Sequence, residues 1–430
     1  MKVRFPAILA GWLCGVLVLA FTPGLRADDW PHFGYDDQMT SFAKSEKTVS
    51  AKNVRTLKLH WSMSDGYWSP TIYGVPVISR GRLITTALGR SLTAYNAKSG
   101  DFLWQSDIPV SGNAPQPVAC TDGSLLWLGG TNPYTLYKIK ATTGQKVWQA
   151  PIAFDLANAT NTVPAVDEAR NTVYIVTGSY QDGKLYALSR KTGKILWYKG
   201  QTMGGIPFKG HTVLLKNPWI FATALVKVGY HDIEKVARIR AGTKKIEMYY
   251  TPPTSDEFFR IERFAICNDK LLVVYVNSFG FSREIKAILA AYNLGSPQVV
   301  WQKTLTTSSV TGGIACDTAK NIVYVPTDPY LYAYRVKNGS QVWKYQGYDD
   351  IFTPTVANGV VYCLSDTNMY ALNQGTGKVL FRYPLGQKAE GTTQVAVADG
   401  MVYFSGSGGT AALFALGLKS NPQSPGEAGR

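Results

Sequence analysis

Two adjacent carboxylate pairs are the residues best suited to chemistry: Asp256 and Glu257 in Ser255-Asp-Glu257, and Asp349 and Asp350 in Gly347-Tyr-Asp-Asp350. Neighbouring carboxylates can divide into proton donor and acceptor, because one ionised group raises the pKa of the other. Both pairs lie in short polar stretches between apolar runs, where a solvated turn is their plainer role. Trp68, Tyr348 and Phe352 occupy similar stretches and can line a pocket or cap a core. The four histidines, His32, His60, His211 and His231, show neither HxH nor HExxH spacing, so no metal site is expected. Cys120, Cys267, Cys316 and Cys363 are widely spaced with no CxxC, so neither a zinc site nor a disulfide framework is expected.

The elements that must position these residues repeat. Seven segments share one wording, as in Leu92-Thr-Ala-Tyr95 to Trp104, Leu185-Tyr-Ala-Leu188 to Trp197 and Leu331-Tyr-Ala-Tyr334 to Trp343. Each is an apolar strand, a polar-Gly pair such as Thr143-Gly144 or Thr192-Gly193, and a second strand carrying an aromatic. The glycine supplies the positive φ of a tight connection. The small residue at the third position leaves room for the aromatic. Successive aromatics recur about every 40–50 residues, and Trp197 to Trp301 spans two such intervals. A degenerate copy is therefore predicted at 206–250, with Val236-Ala-Arg-Ile239 and Ile246 to Tyr249 as its hairpin. The outer-strand aromatics are then eight: Trp61, Trp104, Trp148, Trp197, Tyr249, Trp301, Trp343 and Phe381.

The ends complement each other. Leu413-Phe-Ala-Leu416 lacks a following aromatic strand, and Leu57-Lys-Leu-His-Trp61 lacks a preceding one. The reading is an all-β, eight-bladed β-propeller of four-stranded blades, closed by pairing its N- and C-terminal strands, with no open sheet edge at the seam. Lys2 and Arg4, the apolar run 7–21 and Leu25-Arg26-Ala27 have the pattern of a signal peptide over 1–27. Residues 28–418 form the propeller and 419–430 a disordered tail rich in Pro, Ser and Gly. A periplasmic or secreted location follows, with no transmembrane segment after signal removal. The charge of +15 reflects few acids, 29 against 44 Lys plus Arg. Such a surface suits an anionic small molecule or an envelope protein; export argues against nucleic acid. Few carboxylates also suit an acidic habitat, where fewer charge interactions are lost on protonation.

The repeat wording resembles the PQQ-type repeat of the quinoprotein alcohol dehydrogenase-like propellers. Trp30-Pro31, Gly34, Asp36, Thr40, Phe42, Asn53-Val54, Leu57 and Trp61 add to it, being similar to the N-terminal motif of those enzymes. The resemblance implies a site of pyrroloquinoline quinone and calcium, beside a vicinal cysteine pair. Cys120 stands alone where that pair belongs. Asp182, in Thr177-Gly178-Ser179-Tyr180-Gln181-Asp182, is the nearest acid to the implied calcium Glu. Cys120, Asp182 and Trp68 are thus the candidate cofactor contacts, and Asp256, Glu257, Asp349 and Asp350 the candidate catalytic groups. No metal ligand is assigned and no cofactor is expected with its family ligands absent, although PQQ with calcium stays open.

Three functions fit. One is an oxidoreductase-like protein of non-standard type. The others are a periplasmic binding or outer-membrane assembly scaffold, and a cofactor-free hydrolase of a sulfur oxyanion, similar to tetrathionate hydrolases of acidophiles. The degenerate copy at 206–250, enriched in Lys227, Lys235, Arg238, Arg240, Lys244 and Lys245, is expected to carry the specific role.

Overall fold

The structure is a computed structural model that describes residues 29–63, 75–87, 91–108, 117–129, 134–153, 163–177, 183–200, 208, 212–228, 231–253, 259–277, 287–305, 310, 312–385, 394–406 and 413–418. Eight antiparallel sheets form the blades. Blades 1 to 7 begin at the inner strands Val77–Ser79, Val118–Ala119, Ala165–Asp167, Leu214–Lys216, Phe259–Cys267, Ala315–Asp317 and Thr355–Ala357. Blade 8 takes Ala396–Ala398, Met401–Ser405 and Leu413–Leu418 from the C-terminus and its outer strand, Leu57–Met63, from the N-terminus. The pairing Leu57↔Leu418 through Met63↔Leu413 closes the ring as expected. Second strands such as Thr172–Thr177 are buried throughout, whereas the outer strand Val299–Leu305 alternates. A strand packed between neighbouring blades reads as a continuous apolar run; a rim strand shows one face to water.

Register explains the repeat wording. Ala94, Ala187, Ala237, Ala291, Ala333, Ala371 and Ala415 each stand directly opposite the aromatic of their blade; Lys138 does so in blade 2. The indoles of five blades then dock on the next. Trp104 Nε1 donates to the Ala141 carbonyl at 3.0 Å, and Trp61, Trp148, Trp301 and Trp343 do the same to Ala97, Arg190, Val336 and Gln374. The ring lies over the positive-φ glycine of that neighbour. A Cβ on Gly144, φ +72°, would sit 2.5 Å from the Trp104 ring. Gly144→Ala is expected to cost about 2–4 kcal/mol, combining left-handed strain with overpacking. Gly242→Ala, at φ +81° with nothing within 4 Å, should cost about 1–2 kcal/mol. Equal losses in urea melts would show that ring stacking is not what Gly144 serves.

Blade 4 lacks the tryptophan but keeps the dock. Arg238 Nη1 and the Tyr250 hydroxyl both donate to the Leu294 carbonyl, at 2.6 and 2.7 Å. Arg238 also stacks on Trp219 and pairs with Glu247, which accepts from Arg240 as well. One of the basic residues expected to serve a specific role here, Arg238, is therefore a packing group, and exposed Arg240 is paired with Glu247. Lys244 and Lys245 lie at the exposed turn before the outer strand Ile246–Tyr250.

Residues 30–42 cross the axis of the ring and touch every blade. Trp30 pairs with Ile78 in blade 1. The carbonyls of Pro31, Asp37, Gln38, Thr40 and Ser41 accept from Ala119, Leu215, Ile266, Cys316 and Val356. Asp37 Oδ1 accepts from Val166, and Gly34 N–H donates to Gln394. Phe42–Ala43 then adds a parallel strand to blade 7. Inner-strand donors that would face an open channel are satisfied by one segment. Beside it, Cys267 and Cys316 form a disulfide between the inner strands of blades 5 and 6, Cα atoms 5.9 Å apart. This corrects the sequence expectation. The spacing of 49 residues looked like no framework, yet it is one blade, which the ring brings into contact.

Candidate functional site

The inner strand of blade 5 departs from the others. It runs Phe259–Cys267, nine residues, where the remaining blades use two or three. A register shift between Ile261 and Arg263 makes Glu262 a bulge. Bulges re-aim side chains and recur beside active sites. Blade 4 supports the extension through its long hairpin Trp219–Val228 and His231–Arg240, whose buried Glu234 accepts the Ile261 N–H at 2.8 Å.

Glu262, Arg263 and Phe264 thereby line a cavity on the axis, with Phe33 and Met39 of the crossing segment and Thr212 and Thr353 from blades 4 and 7. The space open to water is about 30 Å³, room for roughly two waters. The Arg263 side chain is 18% exposed, and its Nη1 donates to the Glu262 carbonyl at 2.7 Å and to Glu262 Oε1 at 3.1 Å. Its Nε and Nη2 have no partner among the described residues. The arrangement can bind an anion through charge-assisted hydrogen bonds, with a carboxylate alongside to take a proton. Sequence reasoning missed both residues. Glu-Arg adjacent in a strand has no motif, and only the bulge makes it distinctive.

Of the sequence candidates, Asp256, Glu257, Asp182 and Trp68 lie outside the described residues. Asp349 and Asp350 sit in the connection from blade 6 to blade 7, where Asp349 accepts from the Thr367 hydroxyl at 2.6 Å. The same connection continues to Phe352 and Thr353, so it does reach the axis. Cys120 is buried at the turn end of the blade 2 inner strand, and burial pushes its thiol up to about 12, an unreactive state. Among the described residues no three His, Cys, Asp or Glu side chains converge on a metal position. These described residues therefore offer no ready position for the calcium that would hold PQQ.

The opposite side of the crossing segment is acidic. Asp37 bridges blades 3 and 4, its side chain accepting from Val166 and its carbonyl from Leu215. Burial pushes the Asp37 carboxyl up to about 7; the Val166 N–H opposes this, and Asp36, Glu168 and Asp167 reinforce it. Nearby cations are already engaged: Arg170 with Asp167, Arg190 with Glu168, Lys216 with Gln38. A value raised from 3.8 means that the folded state holds the proton more tightly. The stability is full below about pH 4 and lost as pH rises through about 7. Asp37→Asn should flatten that dependence and, by about 1–2 kcal/mol, stabilise the protein at pH 8. His32, whose pKa burial lowers, gives the opposite trend in acid but is common to both proteins. Parallel melting curves of the two between pH 4 and 8 would refute the assignment.

Comparison with known proteins places this geometry. A family described as outer membrane protein assembly factor BamB matches residues 37–207 and 286–417. The dehydrogenase subunit of a quinone alcohol dehydrogenase from Gluconobacter oxydans is 25% identical over 200 residues, 43% of this chain and 26% of that protein. The chain thus spans about a quarter of the length of that relative. The tetrathionate hydrolase of Acidithiobacillus ferrooxidans is 22% identical over 354 residues, 73% of this chain and 66% of that one. Among solved structures, a quinohemoprotein alcohol dehydrogenase from Comamonas testosteroni superposes with a TM-score of 0.67 at 13% identity, covering 94% of this chain and 82% of that one. BamB from Moraxella catarrhalis gives 0.57 at 12%, covering 86% and 99%. With the repeat register, the closed ring and a match over most of its length, the chain belongs to the PQQ-repeat propeller family described as outer membrane protein assembly factor BamB.

Proposed function

We infer that the protein is an exported, acid-adapted propeller that grips one oxyanion end of a small sulfur compound at the mouth of the axial cavity, the rest of the ion lying outside it, and hydrolyses it, without the quinone chemistry of its dehydrogenase relatives. The observation that carries this reading is Arg263, held over the axis on a bulged strand with two donor nitrogens that have no partner among the described residues. Arg263 grips the oxyanion. Water bonds to a sulfur, its proton passes to Glu262, and the electron pair of the broken S–S bond leaves with the other sulfur. Asp256, Glu257, Asp349 and Asp350 are further acid/base candidates, and Trp68 a candidate ligand contact. The tetrathionate hydrolase relative, matched over most of both chains, supports the substrate class. The apolar N-terminal run and the Cys267–Cys316 disulfide support an oxidising, exported location. The low acid count and the Asp37 shift support work in acid.

The test is turnover of tetrathionate at pH 3–5 by protein purified without added cofactor. Thiosulfate release is expected there. In parallel, excess PQQ and Ca²⁺ should give no dye-linked oxidation of alcohols or sugars. Robust calcium-dependent dye reduction, with no tetrathionate loss, would return the protein to the oxidoreductase class.

A second reading, an envelope scaffold, is favoured by blade 3. Its free outer strand exposes Ile195, Leu196 and Tyr198, and residues 184–200 hold five Lys or Arg and no acid. Such an edge suits strand addition by an extended acidic segment. Capture of one envelope protein that is lost in Leu196→Lys would favour it.

A further inference from the structure

The acidic side of the crossing segment holds a second cavity of about 380 Å³, separate from Arg263. Its apolar surface comes from Pro31, Val118, Ala119 and Val166. Its polar lining joins four acids and His32 to Lys44 and the hydroxyl side chains of Tyr35, Ser45 and Thr121. In a chain with an excess of 15 positive charges, Asp29, Asp36, Asp37 and Glu168 gather around this one space.

Most of these acids are engaged. Asp36 holds its own turn through Gln38 and Thr40, Glu168 pairs with Arg190, and Asp29 accepts from Arg80. Two acceptors are left over. Asp37 spends one carboxylate oxygen on Val166, and the other has no partner among the described residues. His32 is 4% exposed; its Nδ1 is bonded to the Phe33 carbonyl at 2.6 Å, which fixes the proton on Nδ1. Its Nε2 is then a bare lone pair with no partner among the described residues, in a side chain that lines the cavity. Both atoms open on the cavity rather than being sealed from solvent, so a donor entering it would replace water on them. A metal ion is disfavoured, since among the described residues no three ligating side chains converge there.

We propose that this cavity binds a small primary ammonium compound, whose N–H groups take Nε2 of His32 and the second carboxylate oxygen of Asp37 while its carbon chain lies on the apolar wall. Lys44, exposed and lining the cavity, opposes that charge. The experiment is calorimetric titration of the full chain with n-propylammonium chloride at pH 8, where Asp37 is ionised, against sodium chloride at equal ionic strength. Saturable binding at one site is expected. Asp37→Asn, which keeps the acceptor for Val166, should weaken it at least tenfold. Lys44→Glu, an exposed change with little risk to folding, should tighten it severalfold. Heats matching sodium chloride would overturn the proposal. So would unchanged affinity in Asp37→Asn, weaker binding in Lys44→Glu, or saturable binding of Mg²⁺ or Ca²⁺ in place of the amine. None of these outcomes bears on oxyanion turnover at Arg263.

Discussion

Deleting residues 28–62 is expected to abolish the native fold rather than shorten it. The deletion removes nearly all of the strand Leu57–Met63 that completes blade 8, and the parallel strand Phe42–Ala43 on blade 7. It also takes away the carbonyls that accept from Ala119, Leu215, Ile266, Cys316 and Val356. Five buried backbone donors would be left facing an empty channel, each costing about 1–3 kcal/mol. Buried Trp30, Phe33, Tyr35 and Met39 go with them, at about 2 kcal/mol each. The total reaches the whole stability of an ordinary domain. Size-exclusion chromatography should show aggregate, and calorimetry no cooperative transition. A monomeric truncation with an unchanged melting temperature would end the closure argument. Trp61→Ala is a milder probe: its ring is only partly buried, so about 2 kcal/mol is expected, below the range for a fully buried indole.

Half of this closure is legible in the sequence and half is not. The missing partners of Leu413 to Leu416 and Leu57 to Trp61 announce the seam, because each lacks what the other supplies. Residues 30–42 announce nothing comparable. Their work is done by backbone carbonyls, which every sequence has, so Pro31, Gln38 and Thr40 carry no signature of the blades they join. The degenerate blade shows the converse. Arg238 looked like a functional cation because tryptophan had gone. It donates to Leu294, the carbonyl that a tryptophan would have used, and the interface is conserved by different chemistry. Cys267 and Cys316 carried the right information at a spacing meaningful only once the blade period was converted into distance.

Arg263 is where function should respond most. Arg263→Ala is expected to weaken binding of a sulfur oxyanion, and its turnover, by about 30- to 100-fold, since a charge-assisted hydrogen bond in a partly dry site is worth about 2–3 kcal/mol. Arg263→Lys should recover only part, because an ammonium cannot reach both the Glu262 carbonyl and a ligand with the fixed fork of a guanidinium. Glu262→Gln separates the roles. The amide oxygen still accepts from Arg263 Nη1, so binding should hold within a few fold, while turnover falls by about 100-fold if the carboxylate takes the proton. Arg260, exposed on the same strand, is the control for long-range charge, and Arg260→Ala should change either quantity less than threefold. Thiosulfate and tetrathionate titrations with single-turnover assays read both. Loss in Arg260→Ala equal to that in Arg263→Ala would mean that the oxyanion feels only the diffuse positive field, and that the bulge on blade 5 has no part in holding it.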